Sequence, residues 1–227
     1  MPTVSHFWQL ILGTVIALLP IINPLAAAPT FLAITEGDTR ARQLQQLRMA
    51  CIYMIAILVC FLIGGTFIMG FFGISIPGLR IAGGLMVTSI GWGLLVAAPR
   101  VAVDEKRARE AARGKRDISF SPLAMPMLSG PGSIAVTLGF TSLSTHWIDY
   151  VAIILGILSV AGITYATLRL SGKIVKVIGI NGMNALSKIM GFLILCVGIQ
   201  FVVNGLTDPE LIRSIRDAAA TSPGIVH

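Results

Sequence analysis

Charge is scarce in this sequence. Asp, Glu, Lys and Arg make up only 12% of its 227 residues, about half the ~25% share of an ordinary soluble domain. Cysteine and histidine are scarce too, at three each. Cys51, Cys60 and Cys196 form no CxxC pair and have no histidine beside them, and His6, His146 and His227 are scattered along the chain. That spacing excludes a zinc site and an imidazole-centred active site, so neither a metal nor a cofactor is expected. The apolar spans described next hold no Asp, Glu or His to serve as acid or base, which disfavours an enzyme and also a proton-driven carrier. Uniport, or sodium coupling through backbone carbonyls, fits that absence better.

What the chain has instead is apolar length. Hydrophobic residues reach 55% and the mean hydropathy is +0.86. Uncharged intervals run from Met1 to Thr35, Met49 to Leu79, Ile81 to Val103, Ile118 to Ile148, Tyr150 to Leu168 and Ile189 to Thr207. Each holds the ~20 residues that cross a ~30 Å hydrocarbon core as helix. An all-α membrane protein with six transmembrane helices follows, with spans near 7–34, 49–70, 79–98, 119–142, 148–169 and 186–206. Residues 100–118 then form a basic cytoplasmic linker and 208–227 a C-terminal tail. The first run ends in "LAAAP", which looks like a signal-peptide cleavage site, but no Lys or Arg precedes it as an n-region would require.

The basic residues set an orientation, since positive charge stays cytoplasmic. Arg40, Arg42 and Arg48 fall between spans 1 and 2. Arg100, Lys106, Arg107, Arg109, Arg113, Lys115 and Arg116 fall between spans 3 and 4. Arg169, Lys173, Lys176 and Lys188 fall between spans 5 and 6. Only Arg80, Arg213 and Arg216 lie on the other side. Both termini are therefore expected outside the cytoplasm. The net charge of +7 reads as topology and attraction to anionic membrane lipid, with no nucleic-acid footprint. The segment from Asp104, "DEKRAREAARGKRD", reads as a mixed-charge cytoplasmic helix. No motif fixes an oligomeric state.

The two halves echo each other. "NPLAAAP" at Asn23 pairs with "SPLAMPMLSGPGSI" at Ser121, and "RIAGGLMV" at Arg80 pairs with "KIMGFLIL" at Lys188. The first pair falls on the first span of each half and the second on the third span, and a unit of three crossings must enter the membrane from opposite sides each time. The expected architecture is two inverted three-helix repeats, 1–99 and 119–207, with a broken first helix in each half.

Proline removes a backbone donor, and lipid cannot replace it, so broken backbone survives at membrane depth only beside protein or a water-filled cavity. Matching breaks in two halves point to a midplane binding site, although prolines in membrane helices also serve as plain kinks. Here the breaks are Pro24 to Pro29 and Pro122 to Pro131. In the second, Ser129, Gly130, Pro131 and Gly132 form a turn ahead of a half-helix, with Ser133 near its N-cap and amides ready for a carboxylate. Only glycine at 132 lets a ligand approach the backbone closely. In the first, Asn23 offers a donor and an acceptor, and carbonyls freed by Pro24 and Pro29 suit an ammonium. Asn204, Gln200, Thr88 and Ser89 either line that cavity or bond between helices. Gly83, Gly84, Gly91 and Gly93 give span 3 a thin packing face. Arg80 is either a snorkelling anchor or a guide for an anionic group.

The segments "NPLAAAPTFLAIT", "PLAMPMLSGPGSI", "RIAGGLMVTSIGWGLL" and "KIMGFLILCVGIQFVVNGL" resemble the MarC family of bacterial and archaeal inner-membrane proteins over residues 7 to 206. The sequence departs from that family at Ala26, where glycine is common. The resemblance implies six spans, a distant relation to the lysine-exporter superfamily and transport of a small-molecule substrate such as a neutral amino acid. It carries over no ligand residues. A non-transporting scaffold or assembly factor remains the alternative. A thiol-disulfide carrier would need a cysteine in each break, and neither has one.

Overall fold

The computed structural model describes residues 4–96, 117–141, 144 and 146–221. Among them the chain is helical and has no strand, as backbone in lipid must bond to itself. Helix α1 spans Val4–Ile22, α2 Pro24–Ile34, α3 Arg40–Phe72 and α4 Ile76–Val96. A kinked π segment, Ser119–Leu128, with i→i+5 bonds from Leu123 to Ile118 and from Ser129 to Ala124 but extended backbone at Ser121 and Met125, precedes α5 (Pro131–Thr141), α6 (Trp147–Arg169), α7 (Ser171–Leu206) and α8 (Pro209–Thr221). Residues 97–116, which hold most of the expected linker 100–118 and the mixed-charge helix expected from Asp104, lie outside the described residues.

Among the described residues, five stretches are long and apolar enough to cross a membrane: Ser5–Ile22, Arg40–Phe72, Ile76–Val96, Trp147–Arg169 and Asn181–Leu206. The expected fourth span, 119–142, is a kinked segment followed by a short helix, and the expected first span divides at Asn23. Helix α3 is longer than its apolar run because Thr39 caps it, its side chain accepting from Arg42 N–H, and Gly73 ends it in the left-handed region at φ 63°. Gly179, at φ 70° and ψ 168°, interrupts α7 ahead of its membrane stretch. Helix α8 is amphipathic, setting Leu211 and Ile212 among Arg213 and Arg216.

Helices α4 and α7 form the broadest contact, α1 lies on α6, and α3 lies on the π segment and on α6. Short helix α2 packs on α6 and α7, as α5 packs on α3 and α4. Leu18, Phe31, Met54, Leu62, Leu123 and Ile157 are fully buried between them. Large apolar groups also point outward, among them Ile63, Phe67, Phe71, Trp92 and Ile199. In water so much exposed apolar surface would drive association, and in a bilayer it is the lipid face.

Lipid tails give helices no hydrophobic reason to meet, so close backbone packing holds them. The α4–α7 seam shows this. A Cβ added to Gly84 would lie 2.7 Å from the Gly198 carbonyl oxygen, and one on Gly91 would lie 2.5 Å from the Leu195 nitrogen and 2.8 Å from the Gly191 carbonyl oxygen. The thin face expected on span 3 is thus a packing face at Gly84 and Gly91. Gly83 instead meets α5, its Cβ position 3.1 Å from Ala135 Cβ.

Candidate functional site

At the first break, Asn23 adopts a left-handed backbone, φ 44° and ψ 63°, which costs a non-glycine residue about 1–2 kcal/mol and which Asn tolerates best. Pro24 follows at the first helical position, where its missing N–H and fixed φ suit a helix start. The Asn23 Oδ1 accepts from the Ala26 amide at 3.2 Å, and its carbonyl accepts from the Ala27 amide at 3.1 Å. Its Nδ2 finds no acceptor among the described residues, although Asn23 is only 7% exposed. Pro29, expected as part of the break, lies buried inside α2. The N–H groups missing at Pro24 and Pro29 are those that would bond the Pro20 and Leu25 carbonyls one turn back.

At the second break, Ser121 and Met125 have extended backbone inside the π segment, and Ser121–Pro122 is cis. Ser129 closes the segment: its amide and hydroxyl both donate to the Ala124 carbonyl, at 2.8 and 2.7 Å. Helix α5 starts at Pro131, which makes Gly130 the cap. Ser133 is therefore not at the N-cap but two residues into the helix, and its hydroxyl donates to the Gly130 carbonyl at 2.9 Å. The amides of Gly132 and Ser133 fall in the first turn, where no carbonyl of the same helix reaches them.

Ser129, Gly132, Ser133, Asn23 and Pro24 are buried, Gly130 is half-buried and Pro131 exposed. The breaks approach through Gly132, whose Cβ position is 3.3 Å from Ile21 Cγ2 and 3.0 Å from Ile90 Cδ1. Gly132 therefore packs against side chains where open approach for a ligand was expected. Thr88 turns into the α4–α7 seam, its hydroxyl oxygen buried without a protein partner, while Ser89 is exposed.

Three polar features escaped the sequence pattern. Asp149, in the first turn of α6 and 1% exposed, lies 3.4 Å from His6 Nε2 of α1 and accepts from the His146 amide at 2.9 Å. The expectation that spans hold no acid is corrected there. Asp117, ahead of the π segment, accepts from the Ser119 amide at 2.8 Å. The Ser119 hydroxyl and amide, with a smaller pull from Arg42, hold its carboxyl below the usual range. Arg80 Nη1 donates to Asp208 Oδ2 at 2.7 Å, so it is neither a bare anchor nor an unpaired guide. That pair edges a cavity of about 330 Å³ shared with Phe140, Phe201, Asn204 and Thr207, and a second cavity of about 630 Å³ opens between the α3–α4 turn and α8. Neither is lined by Asn23 or the Gly130–Ser133 turn.

The family described as MarC family integral membrane protein matches residues 8–209. Inner membrane protein MarC of Escherichia coli strain SMS-3-5 is 39% identical over 208 residues, which cover 87% of this chain and 93% of the relative. The protein of the same description from Citrobacter koseri matches equally, at 39% over the same shares. No solved structure matches the chain. With its apolar helices turned outward and nearly all of its described length matched, the chain belongs to the MarC family of integral membrane proteins.

Proposed function

We propose that this protein is a transporter of small zwitterionic solutes such as neutral amino acids, with a midplane site between two broken helices. The observation that carries the reading is Asn23: a buried amide with an unused donor, held in a costly backbone conformation, one residue beyond the Ile22 end of α1. Strain and unpaired polar groups of this kind gather at ligand sites. Two half-helices begin here, α2 behind Asn23 and α5 behind Gly130; α5 offers the first-turn amides of Gly132 and Ser133 to a carboxylate, while at α2, where Pro24 has no N–H and Asn23 caps Ala26, the Leu25 amide and the positive dipole end remain. The carbonyl ends of α1 and of the π segment face the same breaks and suit an ammonium.

Six crossings in two inverted repeats are part of this reading. Exchanging the halves turns the α1–α6 contact into that of the π segment with α3, and α2–α7 into α5–α4, and all four contacts are present. Gly84 meets Gly198 and Gly91 meets Gly191, so exchanging Gly84 for Gly191 and Gly91 for Gly198 converts one contact into the other. This register sets Gly84, in place of Gly83, as the counterpart of Gly191.

Purified protein in liposomes is expected to move glycine, alanine or serine faster than empty vesicles do. Folded protein that moves none of them would favour the scaffold reading. Both termini are expected outside the cytoplasm, so single cysteines replacing Ser5 and Ser222 should react with an impermeant maleimide in intact cells and one replacing Gly114 should not. Reaction at 114 would overturn the inverted arrangement.

A further inference from the structure

We propose a second solute site at the end of the bundle where α4 begins and α7 finishes. There a zwitterion sets its carboxylate on the Arg80 guanidinium and its ammonium on the Asp208 carboxylate. The naming of the solute class rests on the transporter reading above. The site itself rests on different residues.

The Arg80–Asp208 pair is made across 128 residues of chain, at 2.7 Å, with side chains 21% and 13% exposed. Both groups edge the cavity of about 330 Å³, a size at the lower end of the ~300–1,000 Å³ typical of small-molecule pockets. Phe140 and Phe201 give it an apolar wall, and Asn204 and Thr207 add polar groups. The Asn204 amide is held by Gln200, whose Nε2 donates to its Oδ1 at 2.8 Å.

The chemistry favours a solute with both charges. A half-buried ion pair resists being broken, since removing one partner leaves the other charge uncompensated. A simple anion arriving at Arg80 would compete with the Asp208 carboxylate and be repelled by it, and a simple cation at Asp208 would be repelled by the Arg80 guanidinium. A zwitterion meets each charge with its opposite and exchanges one ion pair for two. The guanidinium fork also matches a carboxylate in two-point geometry. Apolar side chains up to the size of the remaining cavity then meet Phe140 and Phe201, so the site accepts neutral amino acids and rejects those with a further charge.

The test uses the full chain in lipid nanodiscs, with Cys51, Cys60 and Cys196 replaced by serine and Thr207→Cys added as a reporter on the cavity wall. Glycine and alanine should slow alkylation of that cysteine by a small soluble maleimide. Acetate and methylammonium, alone or together at equal concentration, should slow it at least about tenfold less effectively. Arg80→Gln and Asp208→Asn should each weaken glycine protection by about tenfold or more, the effect of losing one charge-assisted contact, and Arg80→Lys by less. Equal protection by acetate, methylammonium and glycine would overturn the proposal, and that comparison needs no variant of the ion pair. So would undiminished protection in folded Arg80→Gln and Asp208→Asn. The midplane reading fails separately: protein that protects the reporter with glycine yet moves none into liposomes retains this site and loses that function.

Discussion

Gly91→Ala is expected to lower the melting temperature by about 10 °C, while Gly162→Ala leaves it unchanged or slightly raised. The Gly91 Cβ position lies 2.5 Å from a backbone nitrogen and 2.8 Å from a backbone oxygen of α7. No rotamer change relieves a clash with main chain, so α4 and α7 must separate along their broadest contact. Overpacking costs roughly 1–3 kcal/mol, and each kcal/mol shifts the midpoint of a domain this size by about 2–4 °C. A methyl at Gly162 meets nothing within 4 Å, and alanine favours the helix by about 1 kcal/mol. Thermal unfolding of both variants in the same detergent decides the matter. Matching midpoints would mean that α4 and α7 do not rely on backbone contact.

The same glycines explain why much of this fold was legible in advance. Five of the long intervals without charge overlap membrane-length helices, and two glycines on one face of α4, Gly84 and Gly91, lie where the α7 backbone comes near. Details set by a single residue's backbone were harder to read. Pro29 looks as disruptive as Pro24 in the sequence, yet it sits inside α2, because a proline in a membrane helix is tolerated where neighbouring groups serve the freed carbonyl. Ser133 had the composition of a cap, but the Gly130–Pro131 step starts the helix earlier. The kinked Ser119–Leu128 segment has no periodic signal, because extended backbone at Ser121 and Met125 interrupts its turns. Asp208 was invisible for another reason. Its partner is 128 residues away, and the clue was only that opposite charges flank the third span of each half at one end of the bundle.

Asn23→Gly is expected to leave the protein at least as stable as the parent and to reduce transport at least about tenfold. Glycine adopts the left-handed conformation without a Cβ penalty, so the α1–α2 junction survives. Losing the cap on the Ala26 amide costs only a few tenths of a kcal/mol when glycine replaces asparagine. Against that stands the removal of a buried donor that finds no acceptor among the described residues, a burden of about 1–3 kcal/mol. A side chain retained at such a cost has its partner elsewhere, and a carboxylate entering between the two half-helices would be that partner. Asn23→Asp sharpens the test. It keeps the shape, the tolerance of φ 44° and the oxygen that accepts from Ala26, but replaces the donor with an acceptor that repels a carboxylate. Transport should therefore fall in the order parent, Asn23→Gly, Asn23→Asp, measured as glycine uptake into liposomes containing equal amounts of folded protein. Asn23→Leu is a poorer probe, because a branched apolar side chain resists the left-handed backbone and would disturb the junction itself. If Asn23→Gly carries solute at the parent rate, the amide is a structural orphan, the break is a kink, and the midplane site is not at Asn23.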